Sequence, residues 1–310
     1  MLRYVIKRLL QLIPTLFLVS VIVFWMVRII PGDPISLLYG VSESGGTSEE
    51  YMDAMREKYG LNDPEIVQYF RWITNFLKGD MGTSLYTHKT ILKELTNRYQ
   101  YTIILAVWGT IVGSILGVIF GIIAAAFHNK AGDNIVMVIS MIAVSTPSFF
   151  LAMLFMFYFC LHLGVLPSLG LKSWKHAILP VATLGLGAVG MIARTTRSSM
   201  LDVINQDYIR TARAYGTSKT KIILRYAFKN ALIPVLTAIG LRFGSLLAGA
   251  ALVETIFTIP GIGSFLVDSV SKRDYPAIQS TILVLAASFV IVNTIVDILY
   301  GLVDPRVKYE

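Results

Sequence analysis

The sequence predicts an all-α, polytopic membrane protein of six transmembrane helices, with a small extracytoplasmic helical segment between the first two. Three observations carry that expectation. Hydrophobic residues make up 55% of the 310 residues and charged residues only 15%, where a soluble domain carries about 25% charge. The mean hydropathy is +0.66. Six apolar runs, at about 9–30, 101–127, 135–161, 177–199, 232–253 and 278–302, each approach or exceed the roughly 20 residues that cross ~30 Å of hydrocarbon. The chain reads as one domain over 1–310.

The first run, Leu9 to Ile30, is longer than the 7–15 apolar residues of a secretory signal and has no small-residue cleavage site after it. It reads as a retained span. Residues 31–100 then form the extracytoplasmic segment. Thr47-Ser48-Glu49-Glu50 reads as a capping box opening a short helix that stops at Gly60. Asp63-Pro64-Glu65 opens a second helix, with Asp63 as cap and Pro64 in the first turn. Its apolar face is Ile66, Tyr69, Phe70, Ile73, Phe76 and Leu77, and Gly79 ends it.

In the second run Gly109, Gly113, Gly117 and Gly121 recur every four residues, continued by Ala125. Such a stripe lets another backbone approach closely. The fifth run repeats the device with Gly240, Gly244 and Ala248, and the fourth carries Gly185, Gly187 and Gly190. These stripes predict tight helix packing and no function of their own. Cys160 is the single cysteine, lies in an apolar run, and reads as a packed side chain.

The net charge of +8 does not point to nucleic acid, because the charge sits in short segments between spans. With the N-terminus inside, the segments 1–8, 128–134, 192–231 and 303–310 hold 14 Lys and Arg, against 4 in the loops 162–176 and 254–277. The bias puts both termini in the cytoplasm. The stretch 200–231 then faces the cytoplasm as an elbow. Its core, Tyr208–Pro234, is basic and holds no acidic residue. Ile209, Ala212 and Tyr215 share one face of a first short helix, and Gly216 stops it. Thr217 or Ser218 caps a second helix, with Ile222, Ile223, Tyr226 and Ala227 on one side and Lys221, Arg225 and Lys229 on the other.

The pattern DYIRTARAYGTSKTKIILRYAFKNALIP resembles the cytoplasmic signature loop of ATP-binding-cassette importer permeases, and most of all the dipeptide, oligopeptide and nickel subfamily. The general signature begins Glu-Ala-Ala, reaches Gly after three residues and ends in hydrophobic-x-Leu-Pro. Here Thr211-Ala212-Arg213 stands for the first triplet, Gly216 for the glycine and Leu232-Ile233-Pro234 for the end, which is the form usual in the peptide subfamily. The likeness extends along the chain: PGDP at 31–34, YGLNDPEIVQYFRWITNFLKGDMGTSL at 59–85, ETIFTIPGIGSFLVDSVSKRDYPAIQ at 254–279 and VDILYGLVDPRVKY at 296–309. The opening MLRYVIKRLLQLIPTLF and the closing DPRVKY look nearest to permeases of glutathione and dipeptide importers.

That resemblance implies the fold of a type I importer permease and a coupling helix that seats in a groove of a separate ATPase. The residues carried over are Ala212, Ala214, Gly216 and Pro234, with Tyr208, Arg210, Thr211, Arg213 and Tyr215 as contacts. It implies a sister permease, two ATP-binding subunits and an extracytoplasmic binding protein as partners, besides the lipid bilayer. No cofactor is expected in this chain; ATP and Mg would be held by the ATPase subunits, since the P-loop pattern G-x-x-x-x-G-K-[ST] is absent. Peptide import is the reading, with a nickel or metal-chelate cargo as the alternative.

Charged residues inside the spans complete the candidate set. Arg242 sits near the middle of the fifth run and is turned away from the Gly240/Gly244 stripe. It is a candidate for the translocation path, attracting a substrate carboxylate. Glu254, at the outer end of that run, is a second path candidate, and Asp297 is expected to pair within the bundle. A secondary transporter would want paired acidic or broken-helix sites at midplane. An intramembrane enzyme would want His88, His128, His162 or His176 at a catalytic spacing. Neither pattern stands in the sequence.

Overall fold

A computed structural model describes residues 2–29, 35, 49–58 and 60–303. The PGDP stretch at 31–34, Thr47 and Ser48 of the expected capping box, and the tail from 304 lie outside the described residues. The described residues are helical throughout, joined by short turns. Helix α1 is Leu2–Ile29, α2 Glu49–Lys58, α3 Glu65–Leu77 and α4 Ile91–Ala126. After these come α5 Ala131–Ser145, α6 Ser148–Phe155 with a π-type continuation Met156–His162, α7 Trp174–Ile204 and α8 Asp207–Ala214. Then α9, Lys219–Lys221, passes through a π-type turn Ile222–Ala227 into α10 Phe228–Gly249. The chain closes with α11 Ala251–Ile256, α12 Ile262–Ser271 and α13 Tyr275–Val303.

Five helical stretches are long and apolar enough to cross a membrane, and the bent pair α5 and α6 makes the sixth. The third apolar run is therefore not the single straight span expected: it turns by 98° between Ser145 and Ser148. The cause is local. Thr146 precedes Pro147, and the proline ring disfavours helical ψ at the residue before it. Both residues are extended, with ψ of 121° and 134°. The second span begins at Ile91, ten residues before the expected 101, because the polar turns from Ile91 to Gln100 continue the same helix. The fourth likewise runs to Ile204, so the elbow begins in earnest at Asp207.

The glycine stripe of α4 packs on α7. A methyl group built on Gly113 would lie 2.6 Å from the Gly185 carbonyl oxygen and 2.7 Å from Ala188 Cβ. On Gly117 it would lie 2.7 Å from Ile192 Cβ, and on Gly121 2.4 Å from Thr196 Cβ. No such atom fits without moving a backbone. Gly190 does the same toward α5, where Ser140 carbonyl oxygen would be 2.4 Å away. The Gly240 and Gly244 stripe of α10 faces α13, against Val296 and Asn293. Around these contacts Leu105, Leu184, Leu246 and Phe257 form a buried core.

The segment between the first two spans is held by α1. Tyr69 of α3 is buried against Phe24, ring centroids 5.2 Å apart, and its hydroxyl meets Ser20 Oγ at 2.8 Å. Arg28 Nη2 donates to Gln68 Oε1 at 2.5 Å. Only part of the expected apolar face of α3 is covered: Tyr69 is buried and Ile73 and Phe76 are half-buried, whereas Ile66, Phe70 and Leu77 are exposed. Asp63 does not cap this helix. The N-cap position is Pro64, and the Asp63 carboxylate pairs with Arg71 instead, at 2.5 Å. Gly79 ends it as expected, at φ +85°, with Asp80 N–H donating to Asn75 O and Gly79 N–H to Phe76 O. At the opposite end of the bundle, Arg8 Nη1 meets Asp297 Oδ2 at 3.0 Å, joining α1 to α13.

The α4–α7 contact yields a graded expectation. Gly113→Ala and Gly121→Ala force atoms into backbone and should each lower stability by about 1–3 kcal/mol, the usual cost of overpacking. Gly109→Ala, whose new methyl would stand 3.1 Å from Leu184 Cβ, should cost less. Thermal unfolding of the full chain in detergent gives the ranking; a Gly113→Ala protein melting with the wild type would contradict the contact.

Candidate functional site

Helix α8 projects from the end of the bundle where α4 and α7 terminate. One residue anchors it: Ile209 is 0% exposed, on the side facing the turn Ile222–Ala227. Ala212 is half-buried on the same side. Tyr215 was expected on that face, but it is 86% exposed, because the helix ends at Ala214 and Tyr215 is already at the C-cap with ψ near 11°. Gly216 follows with φ +76°. Its N–H donates to Arg213 O at 2.9 Å and the Thr217 N–H to Ala212 O at 3.1 Å, a Schellman closure that satisfies two carbonyls of the last turn. Left-handed φ is required here, and glycine adopts it without a Cβ penalty.

Tyr208, Arg210, Thr211, Arg213, Ala214, Tyr215 and Gly216 are all exposed. The structure thus gathers these sequence-predicted residues on one short projecting element. Pro234 is not among them. It lies inside α10, beyond the π-type turn. Asn230 links the two, its Nδ2 reaching the Tyr208 hydroxyl at 3.3 Å. The second helix behaves as expected, with Ile222, Ile223 and Ala227 buried and Lys221, Arg225 and Lys229 exposed.

Arg242 lies on the opposite side of α10 from its glycine stripe. Its guanidinium reaches across to α7, where a methyl on Gly187 would stand 3.1 Å from Nη2. The Nε is buried and has no hydrogen-bond partner. Among the described residues no carboxylate forms an ion pair with it.

Glu254 was a path candidate, but the structure encloses it: it is 0% exposed. Its Oε1 accepts from Thr102 Oγ1 at 2.6 Å and its Oε2 from Ser264 N–H at 2.8 Å. The Ile262 N–H donates to the same Thr102 Oγ1 at 3.0 Å. Thr102 and Glu254 therefore satisfy two of the first amides of α12, a cap supplied from two other helices, and the positive end of α12 favours the carboxylate. Burial pushes the Glu254 carboxyl above its ordinary range, while Thr102 and the amides of Ser264 and Gly263 pull it down. The group pins α4, α11 and α12 together.

The comparisons with known proteins decide the family. Residues 117–309 match the model of the binding-protein-dependent transport system inner membrane component, and residues 1–106 match the N-terminal part of such membrane components. The chain belongs to this family. Glutathione transport system permease protein GsiC of Escherichia coli strain K12 is 43% identical over 310 residues, covering 100% of both chains. The GsiC protein of Salmonella paratyphi A is also 43% identical over the same full length. Among solved structures, an inward-facing form of the MetNI methionine ABC transporter aligns with a TM-score of 0.57 at 18% identity, covering 68% of this chain and 96% of that one. An amino acid ABC transporter aligns at 0.52 and 16% identity, covering 69% and 94%. These two likenesses support the fold: this permease is a multi-pass inner-membrane protein built as the resemblance implied.

Three features of the permease were not read from its sequence. Gly187 was counted with a packing stripe, yet it is the space that admits Arg242; its spacing from Gly185 and Gly190 departs from the period of four seen in α4, which is the signal that was available. Thr102 gave no signal, being one hydroxyl among several. His128, Asp133 and Arg197 form a cluster where α4 ends and α5 begins. There Arg197 Nε and Nη2 donate to the Asp133 oxygens at 2.6 and 2.7 Å, and His128 Nδ1 stands 3.3 Å from Asp133 Oδ2. His128 lies in the turn before α5 and Asp133 in its first turn, but Arg197 comes from α7, 64 residues on, so no local pattern announces the full set.

The cap around Glu254 is testable at Gly261. Its φ of −88° suits any residue, but a methyl there would stand 2.2 Å from Glu254 Cδ. Gly261→Ala should lower the melting temperature by steric conflict alone, about 1–3 kcal/mol or more. Adding Glu254→Asp, which withdraws the carboxylate by one methylene, should recover part of the loss; no recovery would show that the conflict is not with Glu254.

Proposed function

We propose that this permease forms half of the translocation pathway of an ATP-driven importer for small peptides of the glutathione and dipeptide class. An extracytoplasmic binding protein delivers the cargo, a sister permease supplies the other half, and two partner subunits bind and hydrolyse ATP with Mg. Both termini and the α8 elbow face the cytoplasm, as the excess of Lys and Arg in those segments supports. The cargo assignment rests on the full-length likeness to relatives named as glutathione permeases.

The observation that carries the reading is the geometry of α8. It is a short, exposed helix whose position is fixed from one side by Ile209 and from its end by Gly216. A helix held this way transmits a push. Its seat, the turn Ile222–Ala227, runs directly into α10, and Arg242 lies 15 residues beyond the turn, about 22 Å along the helix at 1.5 Å per residue. An ATPase that grips α8 and closes on ATP therefore moves the helix that carries the unpartnered cation. The π-type turn, less regular than α-helix, is where that motion would bend the chain.

Gly216 isolates the coupling step. A side chain there meets nothing within 4 Å, so substitution acts through backbone strain alone. Gly216→Val should sharply reduce substrate-stimulated ATP hydrolysis and transport in the assembled importer, since a β-branched residue resists positive φ. Gly216→Asn, which tolerates that region, should retain most of both. Wild-type transport by the Val variant would contradict the coupling role.

Arg242 tests the path. A half-buried cation without a carboxylate is costly in a membrane and marks a functional position; here a peptide carboxylate is the partner it would take. Arg242→Gln should leave assembly and basal ATP hydrolysis intact and reduce uptake of anionic peptides more than neutral ones, measured by transport of matched substrates in proteoliposomes. Equal loss for both classes, or loss of assembly, would make the residue structural.

A further inference from the structure

Where α4 and α7 end beside the elbow, the structure holds a cleft of about 460 Å³. Its ionisable lining residues are all basic: His128, Lys130, Arg213 and Lys219. Asp133 beside His128 is buried and already bonded by Arg197 and His128. Among the described residues no carboxylate pairs with Lys130, Arg213 or Lys219. Lys219 Nζ donates to the Ala126 carbonyl oxygen at 3.2 Å, which ties the start of α9 to the last turn of α4. The inner wall is apolar, made by Leu201, Ile204, Ile222 and Ile223. The position is set by the spans themselves: Ala126 and Ile204 are the last residues of two apolar helices and Lys219 the first of a third. Ala126 ends the second apolar run and Lys219 reaches it, so the cleft stands at the end of the bundle where the apolar runs give way to the basic elbow, and exposed Phe127 and Leu224 flank it.

We propose that this cleft binds the headgroup of an anionic phospholipid. A phosphate at the boundary would meet Lys130, Lys219 and Arg213, and the first methylenes of the acyl chains would run along the isoleucine wall. Basic pockets between transmembrane helices on the cytoplasmic side are suited to such headgroups. The apolar wall is what distinguishes a lipid from a free phosphate, which would gain nothing from it. The bound lipid would tie the elbow to the ends of α4 and α7. The proposal rests on the elbow being embedded at a bilayer surface, not on ATP coupling or cargo.

The test uses the purified full-length chain without partner subunits or ATP, so a failure of the coupling reading leaves it untouched. Phosphatidylglycerol and phosphatidylethanolamine are offered in equal amounts in detergent, and the retained lipid is counted by native mass spectrometry. The wild type should retain phosphatidylglycerol in preference. Lys130→Gln/Lys219→Gln should weaken that retention by roughly twenty- to thirtyfold, about fivefold for each basic residue near the surface. Lys172→Gln/Lys175→Gln, an equal loss of charge at the start of α7, should not change it. Both lysines of the first pair are exposed, and an unchanged melting temperature in lipid-free detergent would confirm that the variant is folded. Four outcomes overturn the proposal. They are no preference in the wild type, equal loss in both double variants, and displacement of the lipid by millimolar inorganic phosphate. The fourth is unchanged lipid retention in Lys130→Gln/Lys219→Gln.

Discussion

The close approach of α4 and α7 is the constraint on which the rest of the structure depends. Lipid chains are as apolar as leucine, so burying apolar surface gives helices little reason to associate in a bilayer. What remains is dispersion between atoms in contact, and each atom pair contributes only about 0.1–0.2 kcal/mol. Many pairs are gathered when two backbones approach over several turns, and only hydrogen in place of Cβ allows it. Gly109, Gly113, Gly117 and Gly121 supply that surface on α4, and Gly185, Ala188, Ile192 and Thr196 lie across from it. With α7 fixed, its other faces place the remaining helices: Gly190 seats α5 and Gly187 leaves room for the side chain that reaches over from α10.

The charged groups of the bundle follow from that frame, and they divide by what they meet. Asp297 meets Arg8, Asp133 meets Arg197, and Glu254 meets a hydroxyl and the amides at the start of α12. Each of these closes its own electrostatic need inside the chain and ties separate helices together. Arg242 is the contrast. Its Nε is buried without a partner, and the chain has spent a glycine at 187 to accommodate it.

The elbow shows how a small local device fixes the direction of an exposed helix. One buried side chain, Ile209, and one left-handed residue, Gly216, fix the direction of a helix of eight residues. Beside Ile209 only Ala212 is half-buried, and the remaining side chains of the helix are exposed. The same helix shares the basic cleft with the ends of α4 and α7.

The sequence by itself determined what local rules govern. Apolar run length placed the spans, a period of four in glycine marked the packing face of α4, and the glycines at 60, 79 and 216 marked helix ends, all three with positive φ. The family was legible too, in the elbow pattern and the blocks that accompany it. The tertiary structure decided what depends on a partner. Thr146-Pro147 in the third run was a legible warning, but hydrophobicity outweighed it, and only the backbone revealed the 98° turn. Tyr215 followed the helical period on paper but turned outward because the helix had already ended. Glu254 looked like a membrane-edge charge and proved to be a cap, since its donors stand 152 residues before it at Thr102 and ten after it at Ser264. A helix period or a forbidden φ is a property of neighbours along the chain. The answer to a buried charge is a property of neighbours in space, and those exist only once the helices have packed.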